Sequence, residues 1–132
     1  MSGLNLDPVQ LDRYSRHIIM DDVRPEGQQR LLDGDVLVVG AGGLGAPVIQ
    51  YLAAAGVGAL RIVDDDSVER SNLQRQIIHA DADIGVPKAE SAADYVERLN
   101  PAVDVRAHVD RLDADNVAEY LDGVDFVVDC SD

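Results

Sequence analysis

The chain has 132 residues and a net charge of −14 at pH 7, with 20 Asp and 5 Glu against 10 Arg and one Lys. That length is enough for one domain with its own core, and a hydrophobic content of 46% excludes a disordered chain. The charge argues against a nucleic-acid backbone as partner; no apolar run is long enough to span a membrane, and the N-terminus carries no secretory signal.

In chain order, Asp7-Pro8 reads as a helix start. The helix should run over residues 8–20, with Leu11, Tyr14, Ile18 and Ile19 on its apolar face. Pro25 opens a second helix that ends near Asp33-Gly34. The period then changes. Residues 36–39 form a continuous apolar run, as in a strand buried on both faces of a parallel sheet. A helix is expected over residues 44–55, stopped by Gly56 and Gly58, followed by a second strand over 60–63. Residues 67–85 read as irregular. A helix over 87–100 ends at Pro101, and 103–109 alternates like a strand. A helix over 114–121 and a short buried strand over 124–129 complete the series.

This alternation predicts an α/β fold: a Rossmann-like, doubly wound parallel sheet. Residues 1–34 form an N-terminal helical segment, and residues 35–132 form the nucleotide-binding part. The sequence stops at Cys130-Ser131-Asp132, directly after a strand, so only the N-terminal portion of such a sheet is expected here. Ligands of these sheets lie beyond the C-terminal strand ends, where Gly40, Asp64 and the 129–132 segment fall.

Gly40-Ala41-Gly42-Gly43-Leu44-Gly45 satisfies G-x-G-x-x-G between a predicted strand and a predicted helix. Glycines allow the tight turn and let backbone approach a phosphate, and the helix N-terminus offers free N–H groups and partial positive charge. Asp64, at the end of the next strand, stands where ribose hydroxyls are gripped. A glycine turn serving only helix–sheet packing is the competing reading. Lys88 is the single lysine in the chain, which itself marks it for a function. Short carboxylates without lysine suit a protein kept soluble in high salt, where self-repulsion is screened; an ordinary acidic cytoplasmic protein is the alternative. A lone Cys130 excludes an internal disulfide and fits a cytoplasmic location. His17, His79 and His108 do not share metal-ligand spacings.

Further along stand Arg13-Tyr14-Ser15-Arg16, Asp64-x-Asp66, Ser71-Asn72-Leu73-Gln74-Arg75-Gln76, Gly85-x-Pro87-Lys88 and Asp129-Cys130-Ser131-Asp132. Together with the glycine turn, from about residue 11 to the last, they resemble the ThiF/MoeB family, prokaryotic relatives of ubiquitin-activating enzymes. The resemblance implies an adenylyltransferase that binds ATP and magnesium. Its expected partner is a small ubiquitin-like or sulfur-carrier protein, whose C-terminal glycine receives AMP, for protein conjugation or for sulfur transfer to molybdopterin or tRNA.

It implies that Gly40, Gly42, Gly43 and Gly45 form the phosphate turn and that Asp64 holds the ribose. Asn72, Arg75 and Lys88 would surround the triphosphate, with Ser71, Leu73 and Gln74 completing that run. Asp132 would hold magnesium, and Arg16 would reach the ATP site of the other subunit of a homodimer. Any reactive cysteine or zinc-binding C-x-x-C pair would lie beyond residue 132, so this stretch alone is expected to be inactive. The alternatives are adenylation of a tRNA base or small molecule, a non-catalytic scaffold half, and a nicotinamide dehydrogenase. Retention of Arg16, Arg75, Lys88 and Asp132 counts against the scaffold, and the phosphate cluster at 72–88 against the dehydrogenase.

Overall fold

A computed structural model describes residues 5–131. Three short helices come first: α1 (Pro8–Arg13), α2 (Ser15–Ile18) and α3 (Arg24–Leu32). Strands and helices then alternate: β1 (Asp35–Val39), α4 (Gly45–Ala55), β2 (Ala59–Val63), α5 (Lys88–Leu99), β3 (Asp104–His108), α6 (Val117–Leu121) and β4 (Phe126–Asp129). The strands form one sheet in the order β3-β2-β1-β4, with every pairing parallel. The chain therefore winds from β1 outward to β3 and returns to the other side of β1. That reversal opens a crevice between the C-terminal ends of β1 and β4.

The apolar run of β1 is buried as its sequence requires, with Val36, Leu37 and Val38 at 5%, 0% and 0% exposure. On one side of the sheet, Val36 and Val38 join Leu60 and Ile62 of β2, Ile49 and Ala53 of α4, and Ala92 and Val96 of α5. Each large aliphatic side chain buried there stabilises by roughly 1.5–3 kcal/mol. The small residues of α4 allow it to lie close to the sheet, and Gly56 ends it in the left-handed conformation at φ 89°.

Three expectations are corrected. The first helix breaks at Tyr14, where φ/ψ of −103°/15° separates α1 from α2. The Tyr14 side chain is 2% exposed and its hydroxyl accepts from Asn100 Nδ2 at 2.8 Å, whereas Leu11 and Ile19 are exposed. One anchored aromatic, not a four-residue apolar face, holds the segment. The sixth helix starts at Val117 rather than 114, because Asp113 Oδ1 accepts from the N–H groups of Asp115 and Asn116 and forms a turn first. Finally, β4 lies at the edge of the described sheet and leaves Phe126 and Val127 70% and 47% exposed, so it is not the buried strand expected.

The N-terminal helices are knitted to the sheet across residue 34. Gly58 N–H donates to Leu31 O, Ala59 N–H to Gly34 O, and the buried Gln28 Nε2 to Ala55 O. Among the described residues, no helix is long and apolar enough to cross a membrane.

Candidate active site

The turn after β1 is shaped by two demands. Gly40 has φ +100°, and a side chain there would strike the carbonyl of Cys130 at 2.7 Å, because β4 runs alongside. A side chain on Gly45 would collide with the Gly40 carbonyl. Glycine at both positions lets the chain fold back into α4, which starts without a side-chain cap. Ala46 N–H donates to Gly42 O at 2.9 Å and Pro47 carries no N–H, so the Gly45 N–H is the first-turn donor left to water or an anion.

Asp64, at the end of β2, braces this turn. Its Oδ2 accepts from Ala41 N–H at 2.8 Å and its Oδ1 from Asp66 N–H at 2.7 Å. Each oxygen can accept a second hydrogen bond, and Asp64 lines the cleft, where ribose hydroxyls could donate. The same aspartate therefore fixes the turn and remains available to ligand.

Residues 67–87 leave the sheet and return to it as a closed loop. Ser67 bridges Pro87, Val68 N–H donates to Val86 O and Gly85 N–H donates to Val68 O, both at 2.8 Å, while Val68 and Ile78 are buried beneath. This closure places Lys88 at the first position of α5, with its N–H on Asp66 O at 2.8 Å. Lys88 is 8% exposed and lines the cleft. Arg75 lies over Gly43: a β-carbon there would sit 3.5 Å from its Nε. Its Nη1 donates to Ser71 O at 3.2 Å, leaving most of the guanidinium without a partner among the described residues. Among the described residues, neither Arg75 nor Lys88 forms an ion pair. Asn72 is buried, its Oδ1 accepting from Glu69 N–H at 2.8 Å.

Beneath the turn, His79 is 5% exposed and joins two elements. Its Nε2–H donates to Ala41 O at 2.8 Å, since a carbonyl can only accept, and its Nδ1 accepts from Ser91 Oγ on α5 at 2.7 Å. Burial pushes its pKa below the ordinary 6.5, against the opposing effect of the Ala41 bond.

A third wall was not singled out from the sequence. Asp110, Arg111 and Leu112 follow β3 and line the cleft. Asp110 accepts from the Tyr120 hydroxyl at 2.6 Å, which lowers the carboxyl pKa and pushes the tyrosine up to about 12. Asn116 Nδ2 donates to Arg111 O at 2.9 Å. These bonds stiffen the loop. The strand-end rule that marked Gly40 and Asp64 would have marked this segment too. Cys130 also lines the cleft, but burial raises its thiol pKa and makes it a poor nucleophile.

Together these walls enclose about 1050 Å³. Of the expected site residues, Gly40, Gly42, Gly43, Asp64, Asn72, Arg75 and Lys88 line it. Gly45 sits behind the turn as the start of α4. Ser71, Leu73 and Gln74 do not line the cleft, and the structure gives Ser71 a supporting part through its carbonyl. Arg16 is exposed on α2, outside the cleft of its own chain. Asp132 lies outside the described residues.

A family model described as the ThiF family matches residues 14–132. The chain belongs to that family. It is 67% identical over 129 residues to the SAMP-activating enzyme E1 of Haloferax volcanii, covering 98% of this chain and 48% of that protein. It is 52% identical over 123 residues to the sulfur carrier protein adenylyltransferase of Thermus thermophilus, covering 93% and 45%. Among solved structures it resembles the E. coli tRNA N6-threonylcarbamoyladenosine dehydratase in complex with ATP, with a TM-score of 0.87 and 30% identity over 97% of this chain and 52% of that one. The chain thus spans about half the length of these proteins, and the Rossmann-like ThiF fold of its half is established.

Proposed function

We propose that the protein built on this chain uses ATP to adenylate the C-terminal glycine of a small ubiquitin-like or sulfur-carrier protein. The observation that carries this reading is the pair of cations without ion-pair partners among the described residues, Arg75 and Lys88, lining the cleft with the glycine turn and the start of α4. A carboxylate attacking the α-phosphorus brings anion against anion, so neutralising charge is what the site must supply. The guanidinium suits paired contacts to phosphoryl oxygens, and the ammonium acts as a point charge. As the carboxylate–phosphorus bond forms, the bond to the β-phosphate breaks and pyrophosphate leaves. The tail carboxylate is already ionised at neutral pH, so no base is required.

Magnesium belongs to this reading. The cleft offers hard oxygen donors, with the carboxylates of Asp64, Asp65 and Asp66 within 4.8 Å of one another, and such donors suit the ion. Asp132 is the residue expected to hold it. When bound, it spreads phosphate charge and eases pyrophosphate departure. Arg16 would act on the partner's ATP in a homodimer, which accords with its exposure outside its own cleft. The acidic surface would keep the protein soluble in a salt-rich cytoplasm. A tRNA substrate is the second reading, supported by the structural neighbour named above. The higher identities to the Haloferax and Thermus proteins favour a carrier protein.

ATP–pyrophosphate exchange by the full-length protein tests the proposal. Exchange should require a carrier ending in Gly-Gly, and deleting those glycines should abolish it. Exchange indifferent to the carrier tail would refute the reading. Mixed dimers of Arg16→Ala and Lys88→Ala subunits should regain about one active site per dimer if Arg16 acts across the interface; verified mixed dimers with no recovery would remove that role.

A further inference from the structure

One polar side chain lining the cleft has no part in the chemistry above. Gln76 is 3% exposed, yet its Oε1 is enclosed without a hydrogen-bond partner among the described residues. Its Nε2 lies against the phosphate turn, 3.4 Å from where a β-carbon on Gly42 would sit. An enclosed amide oxygen left unsatisfied is destabilising, and an aliphatic side chain of similar size would avoid that cost. The backbone does not explain the choice. Gln76 N–H donates to Asn72 O at 2.9 Å and its carbonyl accepts from His79 N–H at 3.1 Å, bonds that other residues would make equally.

We propose that Gln76 is a substrate-contacting residue, whose carboxamide N–H donates to an anionic oxygen carried over Gly42 when the cleft fills. The inference rests on the ATP reading and adds a residue to it. Arg75 covers Gly43 and Gln76 covers Gly42, so consecutive side chains lie on consecutive glycines. One supplies charge and the other a directed neutral donor. Neutrality matters here, because Asp64, Asp65, Asp66 and Glu69 already line the cleft and a further carboxylate would repel an incoming anion. With Oε1 held by no donor among the described residues, none of their hydrogen bonds to that oxygen fixes the amide plane, and it can turn its N–H toward the ligand. The anionic oxygen has two sources under this reading: a phosphoryl group of ATP, or the attacking carboxylate of the carrier tail.

Gln76→Leu and Gln76→Glu in the full-length protein separate these sources. ATP is titrated calorimetrically without carrier, and pyrophosphate exchange is then followed against carrier concentration. A phosphoryl contact predicts that Gln76→Leu weakens ATP binding about tenfold, and Gln76→Glu further still. A carboxylate contact predicts unchanged ATP affinity and an about tenfold loss of carrier-dependent exchange. Thermal unfolding accompanies each variant, and Gln76→Met, closer in shape, replaces Gln76→Leu if the latter does not fold. A folded Gln76→Leu or Gln76→Met variant with wild-type ATP affinity and wild-type exchange overturns the inference. Failure of the wild-type protein to bind ATP would instead overturn the reading on which it rests.

Discussion

At the N-terminal end of the sheet, Arg61 is held on every side. Its Nε and Nη2 meet the two carboxylate oxygens of Asp35 at 3.1 and 2.8 Å, and its Nη1 donates to Asp122 O at 2.7 Å. Asp125 Oδ2 accepts from Asp35 N–H at 2.9 Å and completes the network. Among the described residues at the C-terminal end, Arg75 reaches one backbone carbonyl, Lys88 has no ion-pair partner, and Gln76 Oε1 has no donor. At one end the cation is fully paired, and at the other two cations and an amide oxygen are left without such partners among the described residues. Parallel strands explain the difference, since at their C-terminal ends the chain departs into loops that leave backbone N–H groups and side chains free for a ligand. Substitutions at the two ends should therefore affect different quantities.

The largest effect is expected at the open end. Lys88→Ala or Arg75→Ala should lower pyrophosphate exchange by about 10²- to 10³-fold with little change in unfolding midpoint. A variant that loses stability in proportion to activity would move these residues into the structural class. At the closed end, Arg61→Ala should reverse the pattern. Its ion pair is about one-fifth exposed on each side, so solvent screening holds the loss to about 1–3 kcal/mol, below that of a fully buried pair. Urea unfolding measures it, and ATP affinity should be unaltered.

His79 belongs to the open end but acts on stability. Its folded pKa lies below 6.5, so the unfolded chain takes up the proton first as pH falls. Its contribution is therefore complete above about pH 6.5 and is lost as pH drops from there through the folded pKa. Urea unfolding across that window should show a slope that His79→Gln removes; equal slopes in both proteins would refute the buried neutral imidazole.

The open end was legible where chemistry coincides with strand ends. Gly40 and Asp64 stand at such ends, where the residue types required are few, and Lys88 was marked as the chain's single lysine. Gln76 was harder to read. Residues 67–87 have no helical or strand period, so nothing local distinguishes Gln74, which is exposed, from Gln76, which is buried. The unbroken helix expected over residues 8–20 failed for the opposite reason. A helical period is present locally, but the helix breaks at Tyr14, whose buried hydroxyl accepts from Asn100, 86 residues away. The loop carrying Asp110 depends likewise on Tyr120, a contact that propensity does not reveal.

The most direct measurement is a calorimetric ATP titration of the wild-type protein, Lys88→Ala and Arg61→Ala, at a temperature where all three are folded. The account predicts that Lys88→Ala weakens binding by at least about tenfold, equivalent to about 1.4 kcal/mol, while Arg61→Ala binds as the wild type does. Equal affinity in the wild type and Lys88→Ala would contradict it.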